Sequence, residues 1–192
     1  MTSYLLAGPA EEPVSLVRAK EFLRVDDTAE DGLIEALITA ARIHVESTTG
    51  RALIAQSWRV VLDGWPEDRV IRLPVSPLIA LTEVRGYDDA GNATIIDAAQ
   101  FLPDGQAVPA RLIMPANIDG TPVLRERMGI EIDYVAGFGA GAADVPADLV
   151  QALLTLVAYW YEHRDAVLMA GAGAVVPAGF DRLVANYKRV RL

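Results

Sequence analysis

One stretch constrains this chain more than any other: DVPADLVQALLTLVAYWYEHRDAV, from Asp144 to Val167. Its spacing predicts a single long helix. Pro146 suits the first helical position, where a missing N–H leaves no bond unmade. Asp148 sets a negative charge against the positive end of the helix dipole. Leu149, Ala152, Leu153, Leu156, Val157 and Trp160 recur at helical spacing and form one apolar face. Val150, Leu154, Ala158 and Tyr161 form a second face beside it, leaving Gln151, Thr155, Tyr159 and Glu162 as the polar strip. From Pro146 to Arg164 such a helix runs about 28 Å at ~1.5 Å per residue. A helix with two apolar faces has to be covered on most sides. It is either the central core helix or one shared with a neighbouring subunit.

The remaining segments read as its cover. Residues 1–13 are expected to be a loose N-terminal arm. Ser15 is a suitable N-cap for a short helix over Leu16–Leu23, with Ala19, Phe22 and Leu23 facing inward. Arg18 stands where a capping box needs Glu or Gln. Thr28 with Asp31 fits the Ser/Thr-x-x-acid capping pattern. A second helix is expected from about Ala29 to Thr48, buried through Leu33, Ile34, Leu37, Ile38, Ala41 and Val45. Gly50 suits the left-handed position past its end. At Gln56 the hydrophobic period changes from 3.6 to 2. Strands are predicted at Gln56–Leu62, Val70–Leu73, Leu81–Tyr87, Ala93–Ile96, Arg111–Met114 and Ile130–Tyr134, with a turn at Asp88–Asn92. Pro74 and Pro77 make the link between the second and third strands irregular or place it at an edge. Residues 103–109 and 115–122 are expected as loops.

The fold class is therefore α+β. A helical core from 14–55 and 144–167 holds an inserted, small, mostly antiparallel β region at 56–136. Residues 168–192 supply a flexible glycine-containing linker, a short helix from Ala178 to Tyr187 and a basic tail.

Composition narrows the function classes. Apolar residues make up 52% of the 192, enough for a real core. Cysteine is absent, which removes disulfides and thiolate metal sites. The first residues lack the basic and apolar regions of a secretory signal, and no apolar run reaches the roughly 18–20 residues that span a bilayer. Net charge is −9, so the body as a whole repels nucleic-acid phosphates. Against this, Phe180–Leu192 holds Arg182, Lys188, Arg189 and Arg191 and only one acid, Asp181.

Candidate chemical sites are weak. His44 and His163 are the only histidines, and neither has a partner at metal-ligand spacing. Gly137, Gly139 and Gly141 could cradle a phosphate, but they match no phosphate-loop pattern and read as a linker into the helix. Asp88, Asp89 and Asn92 lack calcium-loop spacing. Asp26, Asp27, Glu30 and Asp31 read as a solvated helix start. No catalytic residue, metal or cofactor is assigned. The terminal segment is the sharper candidate: Phe180, Leu183, Val184 and Tyr187 make an apolar stripe suited to a partner's groove, followed by Lys188, Arg189 and Arg191. Trp160, Tyr161 and Arg164 are residue types common at interface hot spots.

Taken in order, several fragments resemble the head–tail connector (adaptor) proteins of tailed bacteriophages and of gene transfer agents. They are VSLVRAKEFLRVD from Val14, DGLIEALI from Asp31, TGRAL from Thr49 with Gln56 and Trp58 after it, LPVSPL from Leu73, YVAGFG from Tyr134, VPADL from Val145 and WYEHR from Trp160. The chain departs from the family pattern at Arg18, where an acid is common, and in a longer linker at 170–177. The resemblance implies a homo-oligomeric ring, typically of twelve copies, beneath the portal protein in the neck of the particle. Such a ring extends the DNA channel without binding DNA specifically and presents a surface to the next neck, stopper or tail protein. It implies synthesis in the bacterial cytoplasm and no membrane association. It also implies portal docking by the C-terminal segment. Two other classes compete. A nucleic-acid-binding packaging module, such as a small terminase-like ring, needs a basic face beyond the tail. A lysis enzyme needs a paired catalytic constellation.

Overall fold

The computed structural model describes residues 1–163 and 176–188. The chain divides into two compact units, one from Met1–Ala10 and Ala55–Phe138, the other from Glu11–Ile54 and from Gly139 onward.

The first unit is all β apart from a short 3-10 turn. Its strands are β1 (Thr2–Ala7), β2 (Gln56–Leu62), β3 (Val70–Arg72), β4 (Leu78–Tyr87), β5 (Ala93–Ile96), β6 (Leu102–Asp104), β7 (Arg111–Ile113) and β8 (Ile130–Ala136). They form two antiparallel sheets, of order β1-β2-β8-β4-β5 and β3-β7-β6. Residues 2–7 are thus not a loose arm. They pair with β2, Ser3 opposite Val60 and Leu5 opposite Trp58, because a TSYLLA run beside an unpaired edge gains a ladder of hydrogen bonds. β4 starts three residues earlier than its alternation suggests, and its register shifts twice against β8. β6 overlaps the start of the 103–109 segment expected to be loop. Pro103 is tolerated there because β6 is an edge strand. Cis peptide bonds precede Pro77 and Pro109.

The core of this unit comes from one face of the large sheet, with Val60, Val84, Ile96, Ile130, Ile132 and Tyr134, joined by Ile71 and Leu112 of the small one. The opposite face of the large sheet carries a lattice of ion pairs. Arg59 grips Asp133 with both Nε (2.6 Å) and Nη2 (2.7 Å) and reaches Glu131 at 2.9 Å. Arg85 pairs with Glu83 at 2.5 Å, and the Tyr87 hydroxyl donates to Glu131 at 2.8 Å. Residues directly opposite on adjacent strands are close enough for such pairs to hold register.

The second unit is helical. In α1 (Leu16–Leu23) the Ser15 hydroxyl accepts from the Arg18 amide, as its position predicts, and Arg24 ends the helix in a left-handed conformation. Ala19 is its one buried residue; Phe22, expected inside, is 43% exposed. The small Ala19 makes the close approach and leaves Phe22 at the margin of a two-turn helix. α2 (Asp31–Thr49) starts two residues later than expected. The Asp27 carboxylate accepts from the Ala29 amide and turns the chain there, so Thr28 caps nothing. Lys20 ties the turn down through the Asp27 carbonyl and the Asp31 carboxylate, both at 2.6 Å. Gly50 ends α2 at φ 67°, as read from the sequence. Leu33, expected inside, is on the exposed side of α2.

α3 (Ala147–Glu162) is the helix that dominates the sequence. Pro146 stands just before it, with ψ 137°, rather than in its first turn. Leu149, Ala152, Leu153, Leu156, Val157 and Trp160 are buried, and so are Val150 and Leu154 of the second face. It is the core helix of its unit. Residues 164–167 of the expected helix, and the expected linker up to residue 175, lie outside the described residues.

Candidate docking segment

The last described element is α4 (Phe180–Val184), continued by a 3-10 turn over Ala185–Tyr187. Five residues cannot hold a helix by themselves. This one is held by what it touches. Phe180 is 1% exposed, with its ring 5.4 Å from the His44 ring of α2; His44 in turn meets Trp160 of α3 edge-on at 5.8 Å. Val184 is also buried. At the far end the Tyr187 hydroxyl donates to Asp148 at 2.8 Å, the Arg51 guanidinium lies 5.4 Å from the Tyr187 ring, and Arg51 Nε donates to the Tyr187 carbonyl at 3.3 Å. The segment is therefore fastened at both ends, by an aromatic cluster and by a polar clamp.

The electrostatics follow the geometry. Burial, reinforced by the Asp148 carboxylate, pushes the Tyr187 phenol up to about 12, so it remains a donor. Burial lowers the His44 imidazole below its ordinary value and favours the neutral ring between two aromatics. Lys188 pairs with Asp181 at 2.6 Å on the exposed side. Burying a Phe side chain stabilises by roughly 1.5–3 kcal/mol, to which buried Val184 and the Tyr187–Asp148 bond add.

The stripe of Phe180, Leu183, Val184 and Tyr187 was expected to face a partner's groove. Phe180 and Val184 are buried in the chain's own helical unit, and Leu183 and Tyr187 are half-buried. Trp160, expected at a subunit interface, is 4% exposed and belongs to the same core. Tyr161 makes a short hydrogen bond to Glu30 within the unit. Arg164, Arg189 and Arg191 lie outside the described residues. Arg51, Asp148 and His44 complete the clamp. The sequence singles out Asp148 as a helix-dipole charge and His44 as one of two histidines, but nothing in it links either of them, or Arg51, to Tyr187 or Phe180.

The other candidate sites resolve into structure. The Gly141 amide donates to Asp144 at 3.0 Å and the Ala142 amide to Glu11 at 2.8 Å, so the chain's own carboxylates occupy the donors of the glycine segment. A Cβ at Gly139 would stand 2.2 Å from Asp144 Oδ2, which explains the glycine. Among the described residues no three His, Cys, Asp or Glu side chains gather to hold a metal, and no helix is long and apolar enough to cross a membrane.

Three solved structures resemble the whole chain. A chain in the neck of an empty gene transfer agent particle, computed with C6 symmetry, is 28% identical with a TM-score of 0.82. One in the virion of the native gene transfer agent particle gives 0.78, and one in the native neck computed with C12 symmetry gives 0.73, both at 28% identity. Each match covers 100% of this chain and 97% of the other. No curated protein matches significantly. The class is that of phage head–tail adaptors, which are virion structural proteins. The chain belongs to the head completion protein family, whose model matches residues 14–174.

Proposed function

We propose that this protein is a connector in the neck of a phage or gene transfer agent particle. Copies form a ring beneath the portal, twelve in the assembled particle, that extends the DNA channel and seats the next neck, stopper or tail protein. The observation that carries this is the end-to-end likeness to chains of gene transfer agent necks, one of them computed with C12 symmetry. A closed ring needs two unlike faces on each copy, joined head to tail. The role is structural and involves no turnover or cofactor. An acidic chain of net charge −9 suits a channel through which DNA slides without being gripped.

Residues 178–192 are the portal-docking segment in this reading. Phe180, Leu183, Val184 and Tyr187 store the segment on the body before assembly and pass to the portal on docking, steered by Lys188, Arg189 and Arg191. The neighbourhood of Tyr161 and Arg164 serves the contact between copies, with Trp160 as its rigid backing. Deleting 178–192 should leave filled heads without tails. Intact tailed particles from the deletion would refute the anchor. A tight, salt-sensitive affinity of the isolated protein for DNA would refute the free channel and favour a packaging module.

A further inference from the structure

The β unit holds an open pocket of about 420 Å³ that the connector role leaves unused. Its wall includes Trp65, Arg69, Asn117 and Thr121. Two of these carry buried polar atoms with no hydrogen-bond partner among the described residues: Trp65 Nε1 and Thr121 Oγ1. Buried donors left unmade are costly and rare, so two beside one cavity point to something that completes them.

The rest of the wall says what that is. The Arg69 side chain makes no ion pair or hydrogen bond among the described residues, although Asp68 beside it is engaged by Arg72 at 2.9 Å. The Arg69 backbone is fixed all the same. It sits at φ 54°, a left-handed conformation that non-glycine residues avoid, held by its amide on the Pro66 carbonyl (3.0 Å) and its carbonyl on the Met114 amide (2.9 Å). Facing loop 115–121 is pinned by Gln100, whose amide group both donates to the Asp119 carbonyl (3.1 Å) and accepts from the Asp119 amide (2.8 Å). The Trp65 ring leans on the buried Phe101 ring, 5.9 Å away. An indole and a guanidinium only donate, and a hydroxyl and a primary amide can both donate. Donors carried on a fixed backbone beside one exposed cation fit a planar anionic acceptor.

We propose that this pocket receives a carboxylate side chain presented by a loop of a neighbouring protein, with Arg69 as its counter-ion and Trp65 and Thr121 as orienting donors. One uncompensated cation on a chain of net charge −9 matches a single carboxylate better than a polyanion such as DNA. That the neighbour is another particle protein rests on the connector reading; the pocket's chemistry does not.

The test uses the full ¹⁵N-labelled chain, with the Trp65 indole N–H resonance assigned by W65F. A blocked Gly-Glu-Gly peptide should shift that resonance saturably, and its Gly-Gln-Gly counterpart should bind about tenfold more weakly. R69Q should erase the difference between the peptides, and Q100A should weaken both by unpinning the loop. In producing cells R69Q should lower the yield of tailed particles. Equal response to both peptides, or none up to about 50 mM, would overturn the proposal and leave water as the pocket's occupant. So would a preferential shift with a short DNA duplex, or full particle yield from R69Q when the wild-type chain is found in the neck. Failed titration with the chain still found in the neck sinks only the pocket. Successful titration with the chain absent from the neck sinks only the connector reading.

Discussion

Truncating Phe180 to Ala separates a fastened terminal segment from one that merely lies nearby. The ring is 1% exposed and meets His44 at 5.4 Å, so F180A removes a core-like contact. Phe→Ala changes inside cores cost about 3–5 kcal/mol, and the lower figure suits a site whose short helix can move off. About 3 kcal/mol multiplies the opening equilibrium of the segment roughly 150-fold, since each ~1.4 kcal/mol is tenfold. The opening should be local, because α3 also packs on α1 and α2, which stay in place when α4 moves off. Amide hydrogen exchange of Arg182, Leu183 and Lys188, all bonded within the segment, reads it directly. Their exchange should accelerate by about two orders of magnitude while that of Leu156 holds. Unchanged rates at the three amides, or equal acceleration at Leu156, would refute the two-ended fastening.

Y187F removes the hydroxyl that donates to Asp148 at 2.8 Å and should cost the segment about 1–2 kcal/mol, seen as faster exchange at Lys188 with an unchanged melting temperature. His44, lowered by burial, should make the fastening pH-dependent: its contribution is complete above the ordinary imidazole value and lost as pH falls through the lowered one. Leu183 exchange, corrected for intrinsic rates, should therefore rise from pH 7 to pH 5, and the rise should vanish in H44F. D133N breaks the two-pronged Arg59 contact on the half-buried sheet face and should destabilise the β unit by about 1–3 kcal/mol, lowering its melting midpoint by several degrees. An unchanged midpoint would show that the lattice is ornamental.

The helices were legible because their signals are local. The Ser15 cap, Gly50 past α2 and the 3.6-residue spacing of α3 all appear where the sequence places them. β5 was legible to the residue, lying between a turn and a change of composition. What the sequence hides is non-local. β1 becomes a strand only because β2 offers it an edge, and nothing within TSYLLA names that partner. β6 is three residues long and contains a proline, so its local preference is for loop until β7 pairs with it. The terminal stripe shows the same limit. Its amphipathic spacing says that Phe180 and Val184 will be covered, but not by whom, and the cover is the chain's own α2 and α3 side. The Trp65 pocket joins residues that are 56 positions apart at their extremes, Trp65 and Thr121, without a motif.

The deciding question is where this chain resides in a finished particle. High-resolution imaging of the head–tail junction in complete particles should show it as a ring between portal and tail, with residues 178–192 turned toward the portal. A junction built and sealed without this chain would contradict the connector reading.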